Sequence, residues 1–418
     1  MTSRWFAVGT LVALLISLVV ITIMRVPLTT PPAPRTDQLA ALDTLPADAV
    51  ARGRAFHAAL RPGSYGALVL GLLVALVLGL TPLGSRLVEF VGRPFGGHWL
   101  GQALLGGLAV VFIGELATLP IAAWQHRIVR RYGLSTQDWG AWGVDVLKSY
   151  AIGAVIGAVA VAGFFTITRL APRWWWAPAA ACAAVLVVLV SFVYPVLVEP
   201  VFNRFTPMAQ GQLRDELTTL AERDGVPVRD VLVADASRRT RAVNAYVSGF
   251  GPTRRIVVYD TLLGEAPPAE ISSVVAHELG HARDRDVLVG TLLGALGAAA
   301  AVVGLYLLGS WGGLLRRAGV DSLTQPRAVA LIVALVALAG LAAGPVQAGI
   351  SRRIEARADA HALTLTRDPA TFEAMQARLS RVNLGDPDPP WLEHLLFGSH
   401  PSTVERMAAA RAWARGAR

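Results

Sequence analysis

Residues 274–308 read VVAHELGHARDRDVLVGTLLGALGAAAAVVGLYLL and join a polar pattern directly to an apolar one. In the first half of this stretch, the apolar residues recur at helical spacing and two histidines are present. After Asp286 the chain runs without a charge for long enough to cross a bilayer, since a helix rises about 1.5 Å per residue and the hydrocarbon core is roughly 30 Å thick. This stretch predicts a chemically active helix at the surface of a membrane protein.

The composition also favours the membrane. Hydrophobic residues make up 54% of the 418 residues and charged residues only 16%, against roughly a quarter charged in soluble domains. The net charge of +9 comes from basic residues scattered around apolar runs, a distribution that suits anionic lipid headgroups rather than a nucleic acid. We therefore expect a lipid bilayer as a partner and no nucleic acid.

Seven apolar runs are long enough to span the membrane. The first could be a secretory signal, but its length and the lack of a small-x-small cleavage site favour an uncleaved anchor. We therefore predict a mainly α, polytopic membrane protein. The predicted spans are Trp5–Met24, Gly63–Pro82, His98–Trp124, Ser149–Thr168, Trp174–Val198, Val287–Trp311 and Ala328–Ile350.

Seven spans place the two termini on opposite sides of the membrane. The loops after the first and third spans carry nine basic residues, against eight in the opposite set. Arg352, Arg353 and Arg357 directly follow the last span and tip this balance. Because basic residues favour the cytoplasmic side, we expect an integral cell-membrane protein with its N-terminus outside and its C-terminus in the cytoplasm.

Two long segments remain for water-facing structure. They divide the chain into spans 1–5 (residues 1–198), a catalytic segment (199–286), spans 6–7 (287–350) and a C-terminal catalytic segment (351–418). Periodicity and turn signals predict several elements in the first catalytic segment. These are a helix over Asp215–Arg223, a strand over Val228–Val233, a β-hairpin of Val243–Ser248 and Arg255–Tyr259 around a turn at 249–252, and a helix that begins near Pro267–Pro268.

His277 and His281 stand one turn apart on that last helix, so both imidazoles can reach one metal ion, with Glu278 beside them. The spacing is typical of a zinc site. The alternative is a solvated helix with two surface histidines. Apolar Val275 and Leu279 argue against it, because they make the helix half-buried and buried ionisable groups need partners.

A catalytic zinc needs a third protein ligand. A metzincin would have Gly and His at the positions of Asp284 and Val287, so that class is excluded. The charged residues at 283–286 also separate the motif from the next span, which excludes an intramembrane zinc protease. Glu355 and Asp359, one turn apart just after the last span, are the candidate ligand and supporting carboxylate. The alternative is that they pair with neighbouring arginines on a solvated helix.

Several further motifs follow one another along residues 110–410. In chain order they are Tyr132-Gly133-Leu134-Ser135-Thr136, Glu199-Pro200-Val201-Phe202-Asn203-Arg204-Phe205-Thr206-Pro207, Asn244-Ala245-Tyr246, Asp260-Thr261-Leu262-Leu263, His277-Glu278-Leu279-Gly280-His281, Ser351-Arg352-Arg353 with Glu355 and Asp359, and His400-Pro401 with Glu405-Arg406. Together they make the chain similar to the type I CAAX prenyl proteases, which are integral-membrane zinc metalloendopeptidases with seven spans. The first hundred residues show no confident match.

The resemblance implies a role for each matched residue. His277, His281 and Glu355 would hold one Zn²⁺ per chain, and Glu278 would be the general base. Asp359 would hydrogen-bond a ligand imidazole, and His400 would stabilise the oxyanion with support from Arg406. The strand Asn244, Ala245 and Tyr246 would bind substrate. Simpler alternatives stay open for three of these assignments. They are a capping histidine for His400, a surface arginine for Arg406 and an ordinary hairpin for the strand.

The resemblance also implies a fold, in which seven helices enclose a water-filled chamber capped by a cytoplasmic α+β, gluzincin-like protease domain. An acid within the third span, Glu115, would then face the chamber or a neighbouring arginine. His361 and His394 match no motif position of the family, and we expect both to be structural.

The expected function is zinc-dependent endoproteolysis of peptides or membrane proteins at the cytoplasmic surface. The Ala-, Arg- and Gly-rich composition suggests a GC-rich bacterial genome, which does not guarantee prenylated substrates. The alternative enzyme is therefore a quality-control metalloprotease without prenyl specificity. A non-catalytic scaffold or transporter-like protein with a degenerate site is a third reading, which the intact Glu278 argues against.

Overall fold

The computed structural model describes residues 2–28, 32–249 and 251–416. Its first half is helical. The helices are α1 Thr2–Arg25, α2 Arg35–Leu42, α3 Ala47–Gly79, α4 Pro82–Gly92, α5 Trp99–Arg131, α6 Trp139–Leu170, α7 Trp176–Val193 and, after a π-helical turn at Tyr194–Val198, α8 Glu199–Phe202.

The second half contains all the strands of the described chain. Its elements are β1 Phe205–Pro207, α9 Gln212–Arg223, β2 Asp230–Ala234, β3 Ala245–Ser248, β4 Arg255–Tyr259, α10 Asp260–Glu265, α11 Pro268–Asp284, α12 Asp286–Leu308, α13 Gly312–Ala318, α14 Val329–Thr366, α15 Pro369–Val382, α16 Trp391–Phe397 and α17 Thr403–Gly416.

Seven helices within the described residues are long and apolar enough to cross a membrane, which confirms the predicted number of spans. Several run past the predicted limits. The second begins at Ala47 rather than Gly63, because its polar first turns continue as helix beyond the apolar part. The observed spans are Thr2–Arg25, Ala47–Gly79, Trp99–Arg131, Trp139–Leu170, Trp176–Phe202, Asp286–Leu308 and Pro326–Thr366.

The helix α14 is the clearest case of a span that continues into the water-facing part. It has 38 residues, about 57 Å at 1.5 Å per residue, whereas the hydrocarbon core is about 30 Å thick. Its apolar first part crosses the membrane, and its last four turns carry Glu355 and Asp359. The same rigid helix therefore links the bilayer to the candidate metal site.

The four strands form one sheet in the order β1-β2-β4-β3. The strands β2 and β4 are parallel, and the predicted hairpin of β3 and β4 is present as an antiparallel pair. Phe250 in its turn lies outside the described residues. The short strand β1 was not predicted, and β2 starts two residues later than predicted. Within the part of the chain that the structure describes, β3 ends the strand order, so its outer edge is free to pair with another chain segment.

Both predicted catalytic segments share one hydrophobic core. Ile256 from β4 and Val275 and Leu279 from α11 are fully buried together with Leu363 from α14 and Phe372 from α15. Burying side chains of this size stabilises a fold by about 1.5–3 kcal/mol each. The two segments, although separated by two spans in the sequence, therefore fold as one unit.

The segment between the first two spans packs against this unit. Ala41 of α2 is buried with Val404 and Met407 of α17. Arg35 also donates to both carboxylate oxygens of Asp388, at 2.7 and 2.6 Å. The loop after the first span therefore lies on the same side of the spans as the catalytic segments.

Candidate metal and catalytic centre

Helices α11 and α14 bring together the three predicted metal ligands. The Nε2 atoms of His277 and His281 lie 3.1 Å apart. The Oε2 atom of Glu355 is 3.2 Å from Nε2 of His277, and its Oε1 atom is 3.5 Å from Nε2 of His281. All three donor atoms fall within 4.8 Å of one another, which is a distance over which one ion can contact them all.

Close packing of the two helices makes this convergence possible. A Cβ atom at Gly280 would lie 3.1 Å from the ring of His361 on α14, so glycine allows α11 to pack closely against α14. The Nε2 atom of His361 in turn lies 3.0 Å from a buried carboxylate oxygen of Asp224. The name metal cluster refers to the three candidate ligands His277, His281 and Glu355. His361 packs behind this cluster and is not a member of it.

The donor set fits a zinc ion. Glu355 is only 8% exposed, and its Oε2 atom makes no hydrogen bond within the described residues. Burial alone would raise the pKa of Glu355, but the adjacent imidazoles of His277 and His281 hold that pKa well below its ordinary value. Two imidazole nitrogens and one ionised carboxylate are the protein ligands of many catalytic zinc sites.

The imidazole of His277 is oriented by a buried ion pair. Its Nδ1 atom lies 2.9 Å from Oδ1 of Asp359, and Nε of Arg406 donates to Oδ2 of Asp359 at 2.8 Å. Burial opposes ionisation of Asp359, but Arg406 and His277 lower its pKa. Arg406 therefore lies behind His277, where it contacts that histidine and Asp359.

The imidazole of His281 has a comparable carboxylate that the sequence analysis missed. Its Nδ1 atom lies 2.9 Å from Oδ2 of Asp286. Burial alone would lower the pKa of His281, but Asp286 and Glu355 raise it to about 10. The available signal was a carboxylate five residues after the histidine, in a charged run that we interpreted only as a spacer before the span.

Glu278 lies between the two histidines on α11 and is partly buried. Burial raises the pKa of its carboxyl, while the neighbouring histidines act in the opposite direction. A carboxylate with a raised pKa beside a metal cluster is a suitable proton acceptor near neutral pH.

His400 approaches the cluster from a loop between α16 and α17. Its Nε2 atom is 3.4 Å from Oε1 of Glu355, although its side chain is 59% exposed. The loop is held from α14, because Nη1 of Arg352 donates to the carbonyl oxygens of His394 and Gly398. The ring of His394 contacts Glu405 at 3.1 Å. His394 therefore supports the loop and lies outside the metal cluster.

The predicted substrate strand is β3. Ala245 is buried against the core beside α11, and Asn244 is exposed. The hydroxyl of Tyr246 lies on the other face of the sheet, 3.5 Å from Oε2 of Glu199. The backbone N–H of Tyr259 donates to the carbonyl of Asn244 at 3.0 Å.

Glu115 lies away from this centre. It sits in α5, and its carboxyl interacts with the hydroxyl of Tyr150 in α6. We expected this acid to face the chamber or a neighbouring arginine, and the structure places a tyrosine of the next span beside it.

Comparison with known proteins agrees with this arrangement. The family described as peptidase family M48 matches residues 207–414, and the CAAX prenyl protease N-terminal family, with five membrane helices, matches residues 64–204. The chain is 30% identical over 304 residues to a CAAX prenyl protease 1 homolog of Arabidopsis thaliana, covering 71% of this chain and 70% of the relative. It is 29% identical over 307 residues to the uncharacterized metalloprotease YhfN of Bacillus subtilis, with 71% and 70% covered.

The fold is also that of a solved structure. The crystal structure of S. mikatae Ste24p superposes with a TM-score of 0.79 at 21% identity, covering 98% of this chain and 99% of that one. The two family matches together include most of the spans and the whole catalytic unit, and they leave the first span unmatched. The chain belongs to the CAAX prenyl protease 1 family of M48 peptidases and is a membrane metalloendopeptidase.

Proposed function

We propose that this metalloendopeptidase uses zinc, held by His277, His281 and Glu355. The observation that carries the proposal is the convergence of these three donors within 4.8 Å, with a buried oxygen of Glu355 left without a hydrogen bond. A zinc ion bound there would polarise the scissile carbonyl and acidify the attacking water. The other parts of the reaction fall to the residues of the chain.

Glu278 is the proposed general base. Its partly buried carboxyl, with a raised pKa, accepts a proton as water attacks the peptide carbonyl and returns that proton to the leaving amine. His400 is the proposed oxyanion donor. Its exposed ring can meet a substrate while its loop stays anchored by Arg352, and such donors typically contribute about 10²- to 10³-fold to the rate.

The outer edge of β3 is the proposed binding site for an extended peptide. Backbone pairing with an edge strand gives affinity with little demand on sequence. Because Tyr259 donates to Asn244, residues 244 and 246 face β4, and the N–H of Ala245 points to the free edge. A peptide there would run beside α11 and its metal cluster.

The proposed substrates are peptides or membrane proteins presented at the cytoplasmic surface. The Arabidopsis relative is named for prenyl proteolysis, and we propose a Cys-aliphatic-aliphatic-X sequence as the first class to test. A proteomic comparison of cells that carry wild-type or Glu278→Gln protein would identify the substrate. Accumulation of misfolded membrane proteins instead would favour the quality-control alternative.

The proposed orientation has the N-terminus outside and the catalytic unit in the cytoplasm, below a water-filled chamber between the spans. It is supported by the basic loop after the first span, which lies on the side of the catalytic segments together with Arg352 and Arg353. A reporter fused after Arg418 should report cytoplasm, and one fused at the N-terminus should report the outside. The reverse pattern would contradict the orientation while leaving the chemistry intact.

The proposal as a whole is tested by metal content. Purified wild-type protein should contain about one zinc per chain. Removing the metal with a chelator should abolish cleavage of a peptide, and adding zinc should restore it. Full cleavage by protein shown to be free of metal would contradict the proposal.

A further inference from the structure

We propose that Asp286 positions His281 for metal binding, and that Arg357 and the end of the first membrane helix hold Asp286 in place. This inference rests on the proposed zinc site and adds a support to it. The family profiles match the chain only from residue 64 onward, so the contribution of the first helix lies outside the matched region.

Asp286 contacts the side of the His281 ring that faces away from the cluster. Its Oδ2 atom lies 2.9 Å from Nδ1, whereas Nε2 of the same ring faces His277 and Glu355. Asp286 is only 8% exposed. A hydrogen bond from Nδ1 to this carboxylate fixes the tautomer in which Nε2 presents its lone pair to a cation.

A break in the helix brings Asp286 to this position. Five residues after His281, a continuous α-helix would have turned about 140° away from the histidine. Instead, α11 ends at Asp284, Arg285 follows with φ 59° in the left-handed region, and α12 begins at Asp286. A non-glycine residue rarely adopts this conformation. The backbone strain at Arg285 thus coincides with the turn that returns the carboxylate to the metal site.

Arg357 holds the other side of Asp286. It lies on α14, two residues after Glu355, and its Nη2 atom donates to Oδ1 of Asp286. Its Nε atom is 2.6 Å from Oδ2 of Asp284. A planar guanidinium can serve several acceptors at fixed angles, which a lysine cannot do.

The second hydrogen-bond acceptor of Arg357 is the carbonyl oxygen of Arg25, 2.7 Å from Nη1. Arg25 is the last residue of α1. The last carbonyls of a helix lack partners within the helix and carry its partial negative charge, so a guanidinium is a favourable partner there. The contacts therefore run from the first membrane helix through Arg357 and Asp286 to His281.

The two zinc-binding histidines would thus have equivalent supports. For His277 the carboxylate is Asp359 and the arginine is Arg406. For His281 they are Asp286 and Arg357. The first support comes from the C-terminal segment alone, whereas the second joins the start of α12, α14 and the end of α1.

Zinc affinity, measured by competition with a chelator on the purified full-length protein, tests the inference. Asp286→Ala should raise the zinc dissociation constant by about 10- to 100-fold, and Asp286→Asn by less, because an amide oxygen can still accept from Nδ1. Asp284→Asn is the matched control. It removes the negative charge that pairs with Arg357 but changes no contact of His281, so zinc affinity should stay within about 3-fold of wild type.

Arg357→Lys tests the outer part of the support. It keeps the charge but loses the planar set of donors, and zinc binding should weaken by about 3- to 10-fold. Hydrogen exchange at residues 22–28, at the end of α1, should become faster than in wild type. Unchanged exchange there would remove the first helix from the proposal.

The outcomes separate this inference from the proposed function. If the wild-type protein binds no zinc, the metal site itself is wrong. If the wild type binds zinc and Asp286→Asn and Asp286→Ala bind it equally well, only this inference is wrong. An equal loss in Asp284→Asn would also overturn it, since a general charge effect would then suffice. Should Asp286→Ala fail to fold, Asp286→Asn and Arg357→Lys decide.

Discussion

The two sides of the cleft differ sharply in burial. On the metal side, the side chains of His277, Asp359 and Glu355 are 8%, 5% and 11% exposed, and they are carried by two long, closely packed helices. On the open side, the side chain of His400 is 59% exposed and is carried by a loop. Groups that hold a cation are fixed by packing, whereas the group that meets a substrate stays accessible. The two sides should therefore respond differently to substitution.

The largest effect should come from Glu355→Ala on the metal side. Without the carboxylate, two neutral imidazoles retain zinc poorly, so we expect most of the metal and all measurable cleavage to be lost together. Zinc per chain and peptide cleavage give the result. Glu373→Ala is the control, because Glu373 pairs with Arg411 away from the cleft and should leave both values unchanged. Full zinc occupancy in Glu355→Ala would contradict the assignment of the third ligand.

A substitution on the open side should separate metal from turnover. His400→Ala should lower kcat by about 10²- to 10³-fold through the loss of an oxyanion donor. Zinc affinity should stay near wild type, because the exposed ring is not one of the three converging donors. Steady-state kinetics together with chelator competition measure both quantities. A loss of zinc comparable to that in Glu355→Ala would place His400 among the ligands.

A smaller effect is expected at the substrate edge. Ala245→Pro removes the outward N–H of β3, so KM should rise by about 10-fold, the loss expected for one hydrogen bond of about 1.4 kcal/mol, with zinc content unchanged. Tyr246→Pro removes an N–H that faces β4 and should instead lower thermal stability. Unchanged cleavage by a well-folded Ala245→Pro protein would show that substrate binds elsewhere.

The smallest effect should come from the packing behind the metal side. Gly280→Ala places a methyl group about 3.1 Å from His361, and overpacking of this kind costs about 1–3 kcal/mol. We expect a lower thermal midpoint and a few-fold weaker zinc binding. Gly264→Ala, in α10 where a Cβ atom meets open space, is the control. Equal stability of the two variants would show that the two helices can separate without loss.

Local patterns predicted the parts of this molecule that depend on neighbouring residues. Apolar runs located the seven spans, alternation located the β3–β4 hairpin, and spacing located His277 and His281. The ends of the spans were predicted less well, because α3 and α14 continue as helices through polar sequence beyond the bilayer. Periodicity alone cannot show where a helix leaves a membrane.

The missed features depend on long-range contacts. Asp286 reaches His281 only because Arg285 adopts a left-handed conformation, and no local signal marks an arginine for that role. Packing of α2 against α17 joins residues more than 300 positions apart. The predicted role of Glu355 came from resemblance to a family, since the residues alone left pairing with neighbouring arginines open.

The most direct test of the account is the rate at which Glu278→Gln cleaves a peptide when it carries as much zinc as the wild type. Glutamine keeps the size of the side chain but cannot accept the proton, so cleavage should fall by about 10²- to 10⁴-fold with zinc affinity little changed. Cleavage at the wild-type rate by zinc-loaded Glu278→Gln protein would contradict the assignment of Glu278 as the base and, with it, the proposed chemistry of the cleft.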